Sequence, residues 1–301
     1  MLDPEIAAHV GPPMPMPELT PELVGMLRVG MTEIGKALPG AEIAAVTEHL
    51  AGDVPMRLYR PDLGSTCPLI VFLHGGGWML GDLDSHDAMM RHLAQRSGSA
   101  VLSVGYRLAP EHPFPAGLDD AATALAWARL HAESLGCDPA RIALGGESAG
   151  ANLTAALTLR LREAGEQQPC FQLLIHPVTD MSFSAPSIDE LMVPGLNRDY
   201  LEACRAFYVG GAGYRDPLIS PLFAKDHTGL APAVVLTASE DPLRDDGELY
   251  ARTLVAAGVE TLAMRLPGLP HGFLFLPASI PAVDRAFDLI ARLVRRYFAN
   301  D

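Results

Sequence analysis

The residue of this chain best suited to chemistry is a serine between glycines. Ser148 is part of Gly146-Glu147-Ser148-Ala149-Gly150, a run between an apolar segment typical of a strand and a segment typical of a helix. Small neighbours let such a serine occupy a sharp, strained turn at the edge of a sheet, where its hydroxyl is exposed. The first amides of the following helix face any negative charge that develops there. The pattern alone is common, but in this context it predicts a nucleophile.

Two further residues could activate this serine. A hydroxyl becomes a good nucleophile when a base takes its proton and a third group orients the base. Asp241 follows the strand-like segment 233–238, and His271 follows the strand-like segment 261–266. Because parallel strands end at one edge of a sheet, we expect all three side chains at that edge. Three other carboxylates, close to Asp241 in sequence or at the end of a strand, remain alternatives to it: Asp180, Asp245 and Asp246.

A run of three glycines follows another strand-like segment, at residues 69–73. Glycines let backbone amides turn towards a site without obstruction by side chains, and the oxyanion formed in acyl transfer needs such donors. The donors that we expect are the amides of this run and of the residue after the serine: Gly75, Gly76, Gly77 and Ala149. Trp78 comes next, and two roles are open for it, namely lining an acyl pocket or packing in the core.

Five motifs follow one another along the chain: HGGGW at 74–78, YRLAPEHPFPA at 106–116, GESAG at 146–150, DPLRD at 241–245 and HGF at 271–273. Together they resemble the bacterial hormone-sensitive-lipase-like esterases, family IV of the microbial carboxylesterases, from about residue 70 onwards. The resemblance implies the α/β-hydrolase fold and hydrolysis of a small-molecule carboxylic ester of short to medium chain length, without a cofactor. It implies Ser148 as nucleophile, His271 as base and Asp241 as orienting acid. Among the donors it favours Gly76, Gly77 and Ala149.

The chain departs from this family inside the motifs. Glu147 stands where the family usually has Asp or Thr, Ala151 replaces a frequent glycine, and Pro270 precedes the histidine. These differences leave the substrate preference open. Two other activities also stay open: an acyltransferase or amidase with the same triad, and a non-catalytic receptor for a small ligand. Because the plant gibberellin receptors of this fold lack the catalytic histidine, His271 argues against a receptor.

Several other histidines are expected to be structural. His74 precedes the glycine run and is expected to hold that loop by hydrogen bonding, while His112 and His176 lie next to prolines. His86 and His92 are six residues apart in a predicted helix, which places them on different faces. Because the sequence has no His-Glu-x-x-His motif, we expect no metal site.

Two other groups of side chains have predicted contacts. We expect Arg107 and Glu111 to form an ion pair beneath the site. Three aromatic residues in or near a helix-like segment at 199–208 could face a ligand, but their helical spacing favours packing within the segment. These residues are Tyr200, Phe207 and Tyr208.

The order of the elements predicts the fold class. Short apolar strands alternate with helical segments, which indicates an α/β protein with a mostly parallel central sheet covered by helices on both faces. An antiparallel hairpin is expected at residues 43–59, with its turn at Gly52-Asp53. One segment, at 181–222, breaks the alternation, and it is expected to form a helical cap together with the N-terminal helices. We expect residues 1–45 to form the N-terminal part of the cap and residues 181–222 to form the cap insertion. Residues 46–180 and 223–301 are expected to form the hydrolase core.

Composition limits the classes of function. The chain of 301 residues is 49% hydrophobic and 19% charged, as in folded globular proteins, and its net charge of −14 argues against a nucleic-acid partner. The four cysteines lack a Cys-x-x-Cys spacing and are expected to be free buried thiols. The first residues lack a signal-peptide pattern, and no apolar run approaches the length of a membrane span. We therefore expect a cytoplasmic protein without a membrane span, and pairing of two copies through the last strand and helix stays open.

Overall fold

The computed structural model describes residues 1–11, 18–191, 193 and 195–299. The proline-rich residues 12–17 of the predicted cap lie outside this description. Among the residues described, eight strands form one sheet: β1 (Ala45–Ala51), β2 (Val54–Arg60), β3 (Cys67–Leu73), β4 (Ala100–Val104), β5 (Cys137–Glu147), β6 (Gln172–Ile175), β7 (Ala233–Glu240) and β8 (Thr261–Pro270). Their order in the sheet is β1-β2-β4-β3-β5-β6-β7-β8. In this order, every pair of adjacent strands from β4 onwards is parallel, so the predicted mostly parallel sheet is confirmed.

The predicted hairpin is also confirmed, at one edge of the sheet. Strands β1 and β2 are antiparallel, and Ala51 pairs with Val54 across a two-residue turn. Gly52 has a φ of 60° there, a left-handed conformation that a residue without a Cβ adopts easily. Strand β2 then pairs antiparallel with β4, and this pairing joins the hairpin to the parallel part of the sheet.

Helices cover both faces of the sheet, as the alternating pattern predicts. They are α1 (Pro4–Val10), α2 (Pro21–Ala37), α3 (Asp87–Ser97), α4 (Ala116–His131), α5 (Ala149–Glu163), α6 (Ser187–Glu190), α7 (Arg198–Val209), α8 (Arg244–Ala256) and α9 (Pro281–Phe298). Side chains alternate along β3, so that Leu69 and Val71 pack in the core formed with α4 and α5. Ile70 and Phe72 pack in the core formed with α3 and α9. Because both faces of β3 pack in a core, the strand cannot rotate, and the direction in which its carboxyl end points is fixed.

The two segments expected to form a cap contribute α1, α2, α6 and α7. Helix α2 begins with Pro21 in its first turn and with the hydroxyl of Thr20 accepting the amide of Leu23 at 3.3 Å. In the insertion, the side chain of Asn197 caps α7 in the same way by accepting the amide of Tyr200 at 2.9 Å. The starting point of each helix is therefore fixed by a side chain that caps its first turn.

Two further expectations concern cysteines and membranes. All four cysteines lie within the described residues and none of them is in a disulfide, and three of them are buried: Cys67, Cys137 and Cys204. Every helix in the described part of the chain is too short or too polar to cross a bilayer.

Candidate active site

Ser148 occupies a strained turn between β5 and α5. Its φ and ψ are 54° and −118°, a conformation that L-residues rarely adopt. The turn depends on its glycines, because a Cβ on Gly146 would lie 2.4 Å from the carbonyl carbon of Gly150. A Cβ on Gly150 would lie 1.9 Å from the carbonyl oxygen of Leu73. The close approach of β5, α5 and β3 therefore requires the glycine spacing from which the turn was predicted.

The structure brings Ser148, His271 and Asp241 together at the carboxyl edge of the sheet. The Nε2 atom of His271 lies 2.9 Å from the Oγ of Ser148, and its Nδ1 atom lies 2.9 Å from an oxygen of Asp241. The histidine follows β8 directly and the aspartate follows β7 directly. A chain of two hydrogen bonds thus links a buried carboxylate to a serine hydroxyl through an imidazole, the arrangement needed to activate the serine.

The surroundings of His271 favour its protonated form. Burial acts to lower its pKa, but the negative charge of Asp241, the hydrogen bond to it and the charge of Glu147 together raise the pKa above its ordinary value. Asp241 is fully buried, and its other oxygen accepts the amide of Leu243 at 2.8 Å. The carboxylate is therefore held in place from two sides, with one oxygen directed at the imidazole.

The three alternatives to Asp241 have other partners. The carboxylate of Asp180 accepts hydrogen bonds from Ser182 and Ser184. Asp246 binds the amide and the hydroxyl of Thr179. Asp245 contacts the guanidinium of Arg244 and the amide of Ser187. Of these four carboxylates, Asp241 is the one that forms the hydrogen bond to His271.

The glycine run lies beside the serine because β3 and β5 are neighbours, with Leu73 opposite Gly146. The amide of Gly75 donates to Glu147 at 2.7 Å, so this amide is committed and the expectation that it serves an oxyanion is wrong. By contrast, the amides of Gly76 and Gly77 form no hydrogen bond with the described residues. The amide of Ala149 is the first of α5, where helices leave amides without an intrahelical partner.

The loop after β3 is held by His74, as expected, because its Nδ1 atom lies 2.8 Å from the carbonyl oxygen of Gly75. The predicted ion pair beneath the site is wrong. Arg107 binds Asp120 at 2.7 Å, and Glu111 binds Arg28, a residue of α2. Sequence spacing could not reveal this partner, because α2 reaches Glu111 only through the packing of distant segments.

His176 is a neighbour of the triad that the sequence did not reveal. It follows β6, and its ring centroid lies 4.3 Å from that of His271. Within the described residues, His176, Asp241 and His271 form one group whose ligand atoms lie within 4.8 Å of one another, as a metal site requires. Both ring nitrogens of His271 already form hydrogen bonds, so a metal there would have to break the contact with Ser148 or Asp241. The position of His176 after a strand, at the same edge as the triad, is the signal that could have identified it.

A pocket of about 300 Å³ opens above the serine. Ser148, His271 and Trp78 line it together with residues from both segments of the predicted cap, mainly Val10, Met31, Val193, Leu196, Tyr200, Leu201 and Cys204. Trp78 packs in the core, where it stacks on Tyr208 with ring centroids 4.6 Å apart, and it also lines the pocket. Its contact with an acyl group stays a prediction. The packing interpretation holds for all three aromatic residues of α7, because Tyr208 is buried in this core and Tyr200 and Phe207 pack against it. Tyr200 also lines the pocket.

Comparison with known proteins agrees with this geometry. Residues 70–275 match a family model described as alpha/beta hydrolase fold. Carboxylesterase NlhH of Mycobacterium tuberculosis is 43% identical over 240 residues, which are 78% of this chain and 75% of that protein. The ethyl acetate hydrolase of Pseudomonas putida is 37% identical, with 81% of this chain and 79% of that protein covered. The solved structure of an esterase from Pyrobaculum calidifontis is 34% identical and superposes with a TM-score of 0.89 over 98% of this chain and 99% of that one. This chain therefore belongs to the hormone-sensitive-lipase-like esterases, family IV of the carboxylesterases, within the α/β-hydrolase superfamily.

Proposed function

We propose that the protein is a serine carboxylesterase that hydrolyses short- to medium-chain carboxylic esters through an acyl-enzyme on Ser148. The observation that carries this proposal is the pair of 2.9 Å contacts that joins Ser148 to His271 and His271 to Asp241 at the base of a pocket. Its relatives include proteins named carboxylesterase and ethyl acetate hydrolase. An enzyme without a cofactor can perform this reaction with these groups alone.

In the proposed reaction, His271 takes the proton of Ser148 at Nε2 while the serine oxygen forms a bond to the ester carbonyl carbon. The carbonyl electron pair moves to the oxygen, and the amides of Gly76, Gly77 and Ala149 stabilise this oxyanion. His271 then gives the proton to the departing alcohol. Water attacks the acyl-enzyme by the same route, and the acid is released.

The pocket supports a preference for small substrates. Its volume of about 300 Å³ is at the lower end of the range for small-molecule sites, and most of its walls are aliphatic or aromatic. We infer that residues 1–45 and 181–222 act together as the cap, because side chains from both segments form these walls. The cap would set the acyl-chain length that fits.

The proposed function is tested with p-nitrophenyl butyrate and an organophosphate. The parent protein is expected to release p-nitrophenol and to become phosphorylated at Ser148, which peptide mass spectrometry identifies. A Ser148→Ala variant with the same circular dichroism spectrum is expected to do neither. Equal turnover by both proteins would show that Ser148 is not the nucleophile, and absence of labelling in the parent would favour a receptor.

The acyltransferase alternative needs a separate measurement. Methanol is added as a second acceptor, and the products are quantified as free acid and methyl ester. We expect the acid to be the main product in dilute alcohol, since the proposed enzyme uses water. A methyl ester that dominates at low methanol concentration would instead identify a transferase.

A further inference from the structure

A second buried carboxylate lies directly behind the serine. Glu147 is the last residue of β5, it is 6% exposed, and its Oε1 atom accepts the amide of Gly75 at 2.7 Å. The approach is so close that a Cβ on Gly75 would lie 2.1 Å from this oxygen. The side chain of Glu147, the residue before Ser148, therefore holds the backbone of Gly75, the first residue of the glycine run.

Two buried histidines flank the carboxylate of Glu147. The Nε2 atom of His86 lies 3.3 Å from Oε1, and the Nδ1 atom of the same ring lies 2.9 Å from the hydroxyl of Ser85. The Nε2 atom of His176 lies 3.5 Å from the other oxygen, Oε2. Each of the two histidines exposes at most 1% of its surface to solvent. The amide of Gly75 and the ring of His86 supply the hydrogen-bonding partners that a buried carboxylate needs, because taking an unpaired charge out of water is costly.

The charge of the same carboxylate also acts on the catalytic histidine. Burial acts to raise the pKa of Glu147, but the hydrogen bond from His86 and the nearby imidazoles lower it to about 2, so the group is ionised. Its charge is one of the influences that raise the pKa of His271. The ring of His176 is close to both groups, with its Nε2 atom 3.5 Å from Glu147 and its centroid 4.3 Å from that of His271.

Other titratable groups face Glu147 or His271 from the neighbouring elements: His74 after β3, His86 before α3, Tyr106 after β4, His176 after β6 and Asp241 after β7. Burial lowers the pKa of His74 and of His176 to about 4, and burial raises the pKa of Tyr106 well above its ordinary value, so these three groups are neutral near pH 7. Glu147 and Asp241 are the carboxylates of this set, and both favour a positive charge on His271.

We propose that Glu147 is a positioning residue with two effects on ester hydrolysis: it holds the glycine run through the Gly75 amide, and its charge stabilises His271 after the proton of Ser148 has moved to Nε2. This inference rests on the proposed function of Ser148. The first effect needs an acceptor oxygen at a set distance, and the second needs a negative charge. The two effects can therefore be separated by substitution.

The decisive variants are Glu147→Gln, which keeps the length and an acceptor oxygen, and Glu147→Asp, which keeps the charge but shortens the side chain. For Glu147→Gln we expect kcat to fall about tenfold with KM within about twofold. The acidic limb of kcat/KM is expected to move to lower pH by about half a unit, because the histidine loses one of its two negative neighbours. For Glu147→Asp we expect a lower kcat with the acidic limb in the parental position. The matched control is Glu163→Gln, because the side chain of Glu163 on α5 is 55% exposed. This substitution should change neither kcat nor the position of the acidic limb.

A measurement that does not depend on turnover separates this inference from the proposed function. The imidazole signal of His271 is titrated by NMR in the Ser148→Ala background, with and without Glu147→Gln. We expect a lower pKa of His271 in the double variant. If the parent hydrolyses esters and Glu147→Gln changes neither the acidic limb nor this titration, the inference is overturned while the proposed function stands. An acidic limb that moves equally in Glu147→Asp and Glu147→Gln would also overturn the charge effect. If the parent hydrolyses no ester, the proposed function fails, and the titration still decides the coupling between the two groups.

Discussion

The two sides of the pocket are held in place by different kinds of contact. We call the residues at the strand ends, Ser148, Glu147, Asp241 and His271, the floor, and the parts of α2 and α7 above them the roof. In the floor, Glu147, Ser148 and Asp241 are 6%, 8% and 0% exposed. The roof is fastened by pairs that water reaches, such as Arg28 with Glu111, at 29% and 56% side-chain exposure.

This difference determines what a substitution should do on each side. When one partner of a buried polar contact is removed, the other is left without water and the loss is large. When one partner of an exposed pair is removed, water replaces it and the loss is small. The floor is therefore expected to control the rate of the chemical step, and the roof to control substrate affinity and chain length.

After the loss of turnover in Ser148→Ala, the largest expected effect is in the floor, at Asp241. We expect Asp241→Asn to lower kcat about 10⁴-fold, because the amide can no longer stabilise the protonated imidazole or select its tautomer. The matched control is Asp180→Asn, since Asp180 is also buried, in the loop that follows β6, but binds Ser182 and Ser184. Kinetics with p-nitrophenyl butyrate give both values. An equal loss in the control would mean that any buried carboxylate at this edge matters, and the assignment of the acid would be wrong.

The pH dependence of the parent enzyme tests the same part of the floor. His271 acts as a base only when it is neutral, and its pKa is raised above the ordinary value of 6.5. Activity is therefore complete above the raised pKa and falls as the pH drops through it, about tenfold per unit in kcat/KM. A pH profile between about pH 5 and 9 measures the midpoint. A midpoint below 6.5 would contradict the electrostatic role of the two carboxylates.

A smaller effect is expected in the roof, at Cys204. Burial raises the pKa of this thiol to about 12, and its Sγ lies 2.8 Å from the position of a Cβ on Gly77. Cys204→Ala deepens the pocket at this point, and each additional buried methylene stabilises a longer substrate by about 0.8 kcal/mol, or about fourfold. We expect the ratio of kcat/KM for pentanoate, which is one methylene longer, over butyrate to rise by about this factor. Cys67→Ala, at a buried cysteine outside the pocket, should leave the ratio unchanged.

The smallest expected effect concerns the fastening of α2. Arg28 donates to the carbonyl oxygens of Met79 and Ala109, at 2.7 and 2.8 Å, besides its pair with Glu111. We expect Arg28→Ala to raise KM about threefold and to leave kcat within about twofold, because it loosens the roof without touching the floor. The midpoint of thermal unfolding should fall by about 2–4 °C for each kcal/mol by which the free energy of unfolding decreases. Arg252→Ala is the control, at an arginine 75% exposed on α8. A large loss of kcat in Arg28→Ala would contradict the expectation that the roof controls substrate affinity and the floor controls the rate of the chemical step.

Residues next to strand ends could be predicted, whereas contacts between distant segments could not. Ser148, Asp241 and His271 each follow an apolar segment, and the rule that parallel strands end at one edge is sufficient to bring them near one another. The wrong pairing of Arg107 with Glu111 came from their closeness in sequence. The actual partner of Glu111 is Arg28, 83 residues away, and α2 had to be docked before it could be recognised.

The amino-acid sequence by itself determined the features that depend on neighbouring residues: the alternation of strands and helices, the strained turn at Ser148 and the class of chemistry. Only the tertiary structure decided which buried polar groups meet. It selected Asp241 among four carboxylates, directed Glu147 to the amide of Gly75 and turned Tyr200 and Cys204 into the pocket. The physical reason is that steric preferences of the backbone act over a few residues, whereas a buried polar group takes its partner from whatever segment the order of the strands places beside it.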